Sequence, residues 1–86
     1  MKQFSYVIKD ELGIHARPAG MLAKKAKEYG DTVVTVSKGD QTVKASQLMK
    51  LMGLGVKCGD TIVVGADGGD EDAAIEDLQK FFEENL

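Results

Sequence analysis

Apolar residues along this chain change period several times, and each change marks an element. In residues 2–8, Phe4, Tyr6 and Ile8 alternate with Gln3, Ser5 and Val7. A period of two predicts a strand with one buried face, and the aromatic and β-branched residues suit it. Asp10, Glu11 and Gly13 then mark a turn. Beyond it the period lengthens: Ala19, Leu22, Ala23 and Ala26 recur at i, i+3, i+4 and i+7, with Lys24, Lys25, Lys27 and Glu28 on the wet side. That stripe predicts a helix over residues 16–28, with Tyr29 extending the buried face. Pro18 belongs in a first turn, where its missing N–H costs nothing, so the helix begins at Ala16 and His15 is the expected N-cap residue. Gly30 stops the helix. Gly20 weakens it by up to about 1 kcal/mol relative to Ala, which close packing or room for a partner would offset.

Residues 32–37 (TVVTVS) read as a strand, Lys38-Gly39-Asp40 as a turn and residues 41–45 as the return strand of a hairpin. Residues 47–52 form a short helix with Leu48, Leu51 and Met52 on one face, and Ser46 is placed to cap it. Gly53, Gly55 and Gly59 break up the segment after that helix, with Leu54 and Val56 expected in the core. Residues 60–66 make a fourth strand whose buried face is Ile62, Val64 and Ala66. After the turn at residues 67–70, a last helix over residues 71–84 presents Ala74, Ile75, Leu78, Phe81 and Phe82 as its apolar face. Asp70 is its N-cap, and Glu71 and Asp72 suit its positive end. Glu83 and Glu84 oppose the dipole at the other end and predict fraying. Leu22, Ala26, Ile62, Val64, Ile75, Leu78 and Phe82 are the expected core.

The order is β-α-β-β-α-β-α. A chain of 86 residues is too short to cover both faces of four amphipathic strands. The economical arrangement is a single domain over residues 1–86: an α/β two-layer (α+β) open-faced sandwich, with a four-stranded antiparallel sheet and three helices on one face.

Composition narrows the function. With 43% apolar and 29% charged residues, the chain is neither strongly charged disorder nor a low-complexity stalk. No uncharged stretch approaches a bilayer span, so no membrane insertion is expected. Residues 1–8 lack the apolar core and cleavage signature of a signal peptide, which reads as a cytoplasmic protein. One Cys and one His cannot build a zinc site, and the Asp spacings match no calcium loop, so no metal or cofactor is expected. Cys58 is read as a partly exposed free thiol without a catalytic neighbour.

The net charge of −3 hides a split: residues 1–57 carry ten Lys and Arg against five Asp and Glu, whereas residues 58–86 carry one against nine. The acidic half is accounted for by a solvated helix. The basic half leaves a face for an acidic partner or anionic substrate. Its basic residues are not interleaved with stacking aromatics, so no nucleic-acid role is expected.

The densest chemical signal is Gly13-Ile14-His15-Ala16-Arg17-Pro18-Ala19. His15 sits where a turn becomes a helix. The N–H groups of Ala16 and Arg17 have no intrahelical acceptor and lie at the positive end of the dipole, a setting that attracts an anion. Arg17 adds a guanidinium fork suited to phosphate oxygens. Pro18 fixes the geometry without removing a needed donor. A positive environment also favours neutral imidazole, whose lone pair can attack an electrophile. A nucleophilic histidine carrying a phosphoryl group is one reading. A histidine that caps a helix start and does nothing more is the other.

Over its full length the chain resembles the HPr family, the histidine-containing phosphocarrier proteins of the bacterial phosphoenolpyruvate:sugar phosphotransferase system. Residues 13–19 match the family's active-site motif. Leu48-Met49-Lys50-Leu51-Met52-Gly53-Leu54-Gly55 resembles its short exposed helix, and residues 67–78 its acidic turn and last helix. The resemblance implies that enzyme I phosphorylates Nδ1 of His15 and that the A domain of a sugar-specific enzyme II receives the group. It implies a relay with no turnover of its own and no cofactor. Arg17 would offset the phosphoryl charge, and the Ala16 and Arg17 N–H groups would hold its oxygens. Gly20, Leu48, Met49, Met52 and Gly53 would form the apolar docking patch, where Met suits several partners. A monomer is expected.

Many family members carry a regulatory serine at the start of the short helix, phosphorylated by an HPr kinase/phosphorylase and then read by a catabolite repressor. Counting forward from His15 puts Ser46 there, whereas counting back from Leu54-Gly55 puts Gln47 there. Phosphorylation and simple capping both stay open for Ser46. A regulatory phosphorelay, nitrogen-related or in catabolite control, is the alternative to sugar uptake.

Overall fold

The computed structural model describes residues 2–86, and Met1, at the edge of the expected domain, lies outside the described residues. Strands β1 (Lys2–Val7), β2 (Val33–Lys38), β3 (Gln41–Lys44) and β4 (Thr61–Asp67) alternate with helices α1 (Ala16–Glu28), α2 (Leu48–Gly53) and α3 (Glu71–Asn85) in the expected sequence. The strands form one antiparallel sheet in the order β1-β4-β2-β3. The register aligns a row of side chains across all four strands: Phe4 opposite Val64, Val64 opposite Val36, and Val36 opposite Val43. Because strand side chains alternate, this row and the rows two residues to either side face the helices. Ile62, Val64, Ala66 and Val36 are fully buried, whereas Val7 and Val33 on the opposite face are exposed.

Helix α3 closes the sheet at β1. The Phe82 ring meets Phe4, Tyr6 and Phe81 edge-on, with centroids 5.9, 5.6 and 5.8 Å away, the arrangement that aromatic quadrupoles favour. Tyr6 Oη donates to the Phe82 carbonyl at 3.1 Å. Asp70 caps α3 by accepting from Ala73 N. Helix α1 is tied to α3 through Asp77, which accepts from Tyr29 Oη at 2.7 Å and pairs with Lys25 Nζ at 2.8 Å. These partners, Lys25 first, hold the Asp77 carboxyl below its ordinary value, and burial with the Asp77 hydrogen bond raises the Tyr29 phenol.

Six of the seven expected core residues are buried, and Ile75 is only half-buried. Ala74 and Leu78 take the centre of the α3 stripe, so Ile75 falls on its margin. Leu54 and Val56 enter the core as expected. Helix α3 runs through Asn85, and its end is docked. Leu86 is buried, its N–H donates to the Phe82 carbonyl, and its own backbone oxygen accepts from Lys9 N and Asp10 N at 2.6 and 2.8 Å. This docking offsets the unfavourable placing of Glu83 and Glu84. Leu78 is fully buried against the sheet, and Leu78→Ala is expected to cost about 2–5 kcal/mol in a denaturant titration.

Candidate functional site

The loop from β1 to α1 is held in shape by backbone contacts with two other segments. Gly13 adopts φ +68°, and a Cβ there would lie 2.1 Å from the Val56 carbonyl oxygen. Only glycine allows both the left-handed backbone and so close an approach. The next residue, Ile14, donates its N–H to that same carbonyl at 3.2 Å. The supporting loop is braced in turn: Asp60 Oδ2 accepts from Lys57 N at 2.8 Å and pairs with Lys38 Nζ at 3.0 Å, while Lys38 also reaches the Gly55 carbonyl. The Lys57 N–H and then Lys38 hold the Asp60 carboxyl below its usual range.

On this platform His15 is the N-cap residue of α1, in extended conformation (φ −105°, ψ −178°), and its side chain makes no capping hydrogen bond. The imidazole is therefore left for other chemistry, with 34% of its side chain exposed. The His15 carbonyl accepts from Ala19 N. Among the described residues, the N–H groups of Ala16 and Arg17 have no such partner, and Arg17 has no ion pair. Asp10, His15, Arg17, Pro18, Met21, Glu84 and Asn85 line a shallow depression of about 260 Å³. The His15 side chain and the Arg17 guanidinium thus share this depression at the start of α1. Among the described residues, no three His, Cys, Asp or Glu side chains converge where they could hold a metal.

Several site residues were not legible from the motif. Asp10, expected only in a turn, places Oδ2 3.8 Å from His15 Nε2. With Glu84 also lining the depression, the surroundings of the ring are not uniformly positive as the sequence suggested. The signal for Asp10 was present in its turn chemistry. Its Oδ1 accepts from Leu12 N at 2.8 Å and its carbonyl from Gly13 N at 2.9 Å, a tight reversal that returns residue 10 toward residue 15. Met21 lies one helical turn beyond Arg17 and is exposed, an apolar side chain on an otherwise polar helix face.

The expected docking residues lie on α1 and α2, which pack against each other. Met49 is 79% exposed, Met52 40% and Leu48 37%, whereas Leu51 of the same short helix is fully buried. A Cβ at Gly20 or Gly53 would meet nothing within 4 Å, so internal close packing does not explain either glycine. Ser46 does not cap α2. The N-cap is Gln47, without a side-chain capping bond. A turn closed by Gln47 N to the Lys44 carbonyl occupies residues 44–47 and starts the helix one residue later than expected. Ser46 is half-buried in that turn. Cys58 is exposed, with Sγ 3.7 Å from the Lys9 carbonyl.

An imidazole at a helix start, two residues before an arginine that lines the same depression, is an arrangement suited to handling an anion. Residues 2–84 match the family model described as the PTS HPr component phosphorylation site. The chain belongs to the HPr family of phosphocarrier proteins. It is 38% identical over 85 residues to the phosphocarrier protein HPr of Mycoplasma genitalium, spanning 99% of this chain and 97% of that protein. A solved histidine-containing phosphocarrier protein from Mycoplasma is 32% identical and superposes with a TM-score of 0.91 over 96% of this chain and 93% of that one. Crh, the Bacillus subtilis catabolite repression containing protein solved as a swapped dimer, is 30% identical with a TM-score of 0.76 over 100% of this chain and 98% of its own. As a member of this family the protein transfers a phosphoryl group from enzyme I to enzyme IIA. It is a relay intermediate and not a catalyst with its own turnover.

Proposed function

We propose that His15 carries the phosphoryl group, bonded at Nδ1, and that the carrier serves sugar uptake. The observation behind this reading is that His15 stands at the start of α1 with its ring unused in capping, beside N–H groups free to receive anionic oxygens. Ala16 and Arg17 supply those backbone donors. The Arg17 side chain offsets the charge that gathers during transfer, and Pro18 keeps the first turn in place. Incubation with enzyme I and phosphoenolpyruvate, followed by mass analysis and site localisation, should give one acid-labile phosphate on His15. Phosphate on any other residue overturns the assignment. Arg17→Ala should slow transfer in both directions with little change in the unfolding midpoint. Arg17→Lys should restore part of the rate, because an ammonium keeps the charge but not the fork. Equal rates for Arg17→Ala and wild type in a quench-flow assay would remove Arg17 from the site.

Gly20, Leu48, Met49, Met52 and Gly53 form the docking patch for enzyme I and enzyme IIA in this reading. Exposed methionines support it, since their soft, unbranched side chains adapt to more than one partner. The two glycines keep the surface low where no internal contact requires it. Met49→Glu should weaken enzyme I binding about tenfold or more and leave the fold intact. Unchanged affinity in calorimetry rejects the patch.

Ser46 is the regulatory position in the same reading, phosphorylated by an HPr kinase/phosphorylase and then read by a catabolite repressor. Support comes from its freedom from capping and from the likeness to Crh. Incubation with such a kinase and ATP tests it, and a Ser46 that stays unmodified rejects it. The chain acts as one domain over residues 1–86, as a monomer in the cytoplasm. Among the described residues no helix is long and apolar enough to cross a membrane.

A further inference from the structure

Asp10 is the feature of the site that the phosphocarrier reading leaves without a role. Its carboxylate is not a loose surface charge. Oδ1 is engaged by Leu12 N at 2.8 Å, the Asp10 N–H is engaged by the Leu86 backbone oxygen at 2.8 Å, and the Asp10 carbonyl is engaged by Gly13 N at 2.9 Å. With these fixed, Oδ2 is left facing His15 Nε2 at 3.8 Å, and the two side chains are 30% and 34% exposed. That separation is an ion-pair distance and not yet a hydrogen bond. A small rotation of the ring would close it, as such contacts tighten when a reacting complex forms. Arg17 and Glu84 are the other charged groups lining the depression.

We propose that Asp10 is a positioning residue for phosphoryl transfer, holding the proton of the His15 ring on Nε2 so that the lone pair stays on Nδ1. The inference rests on His15 as the phosphoryl carrier. The nitrogen of a neutral imidazole that bears hydrogen is set by the partner of that nitrogen. A carboxylate can only accept, so it selects Nε2–H. In the forward step the Nδ1 lone pair attacks phosphorus. The Nδ1–P bond forms, the donor's N–P bond breaks, and that electron pair returns to the donor's nitrogen. The Nε2 proton stays where it is, and the ring acquires positive charge facing Asp10. Donation to the next protein reverses these changes and returns neutral imidazole with the same proton on Nε2. Asp10 therefore acts on both transfers without touching the phosphoryl group.

Asp10→Asn separates this role from the shape of the loop. The amide oxygen still accepts from Leu12 N, which turns the NH2 group toward Nε2. An N–H donor there favours hydrogen on Nδ1 and blocks the nucleophile. Asp10→Ser keeps a hydroxyl for Leu12 N and removes the charge. Long-range ¹H–¹⁵N spectra of the ring, taken where the imidazole is neutral, read the tautomer directly. Wild type should show Nε2–H, Asp10→Asn should shift toward Nδ1–H, and both variants should accept phosphoryl from enzyme I on the order of tenfold more slowly. A wild-type ring with hydrogen on Nδ1, or an Asp10→Asn protein with unchanged tautomer and rate, overturns the proposal. Site localisation on the same samples distinguishes the two readings. Phosphate on His15 with an unaltered ring sinks the Asp10 proposal alone, and phosphate elsewhere sinks both.

Discussion

His15→Ala is expected to abolish phosphoryl uptake from enzyme I while the protein stays folded. The expected loss is complete, because no other imidazole exists in the chain. The fold should hardly notice. The ring makes no capping hydrogen bond and a third of it is open to solvent, so the cost should stay at about 1 kcal/mol, near the centre of the range for single substitutions. Incubation with enzyme I and phosphoenolpyruvate, read by intact mass, should show no added phosphate. A urea titration of the same sample should show a midpoint close to wild type. Phosphate retained by the variant would place the carrier function on another residue. A large fall in the midpoint would mean that the ring has a structural part its exposure does not suggest.

Gly13→Ala should be among the most destabilising single-methyl additions available in this chain. The backbone there sits at φ +68°, where an L side chain is strained, and the new Cβ would lie 2.1 Å from the Val56 carbonyl oxygen. Backbone cannot retreat as a flexible side chain does. Strain of roughly 1–3 kcal/mol and a similar overpacking term combine to about 2–6 kcal/mol. A domain of this size holds only about 5–10 kcal/mol in total, so the loss is a large fraction of it. The effect should reach function as well. The loop that must move carries Asp10 and His15 and contributes the Ile14 to Val56 contact, so transfer should slow even in the fraction that remains folded. Denaturant unfolding and a phosphoryl-transfer assay on the same variant check both parts. A cost under about 1 kcal/mol would show that the loop at residues 56–57 yields more easily than its Lys38 and Asp60 bracing implies.

Most of the fold was legible in local patterns. The alternation of Phe4, Tyr6 and Ile8, the helical stripe ending at Ala26, and Pro18 just inside a helix start each constrain a few neighbouring residues, and the elements formed within a residue or two of where they were expected. One-sided alternation also carried the two-layer arrangement, since exposed Val7 and Val33 lie on the face that no helix covers. The motif around His15 was readable for the same reason: a helix start, its free N–H groups and an arginine two residues on are all near in sequence. Ser46 shows the limit of that reasoning. Its placement as a cap depended on counting, and a turn closed by Gln47 N moved the helix start by one residue.

From its sequence alone this protein's period, turn glycines and helix-start chemistry determined which elements form, which face of each is apolar and where an anion-binding imidazole would lie. These arise from backbone sterics and near-neighbour hydrogen bonding, which reach only a few residues. The tertiary structure alone decided the strand order β1-β4-β2-β3, the marginal position of Ile75, the docking of Leu86 onto Lys9 and Asp10, and the approach of Asp10 to the far nitrogen of His15. Each of these depends on where separate segments come to rest against one another. That is set by the shape of the shared core and the closure of loops around it, neither of which has a period along the chain.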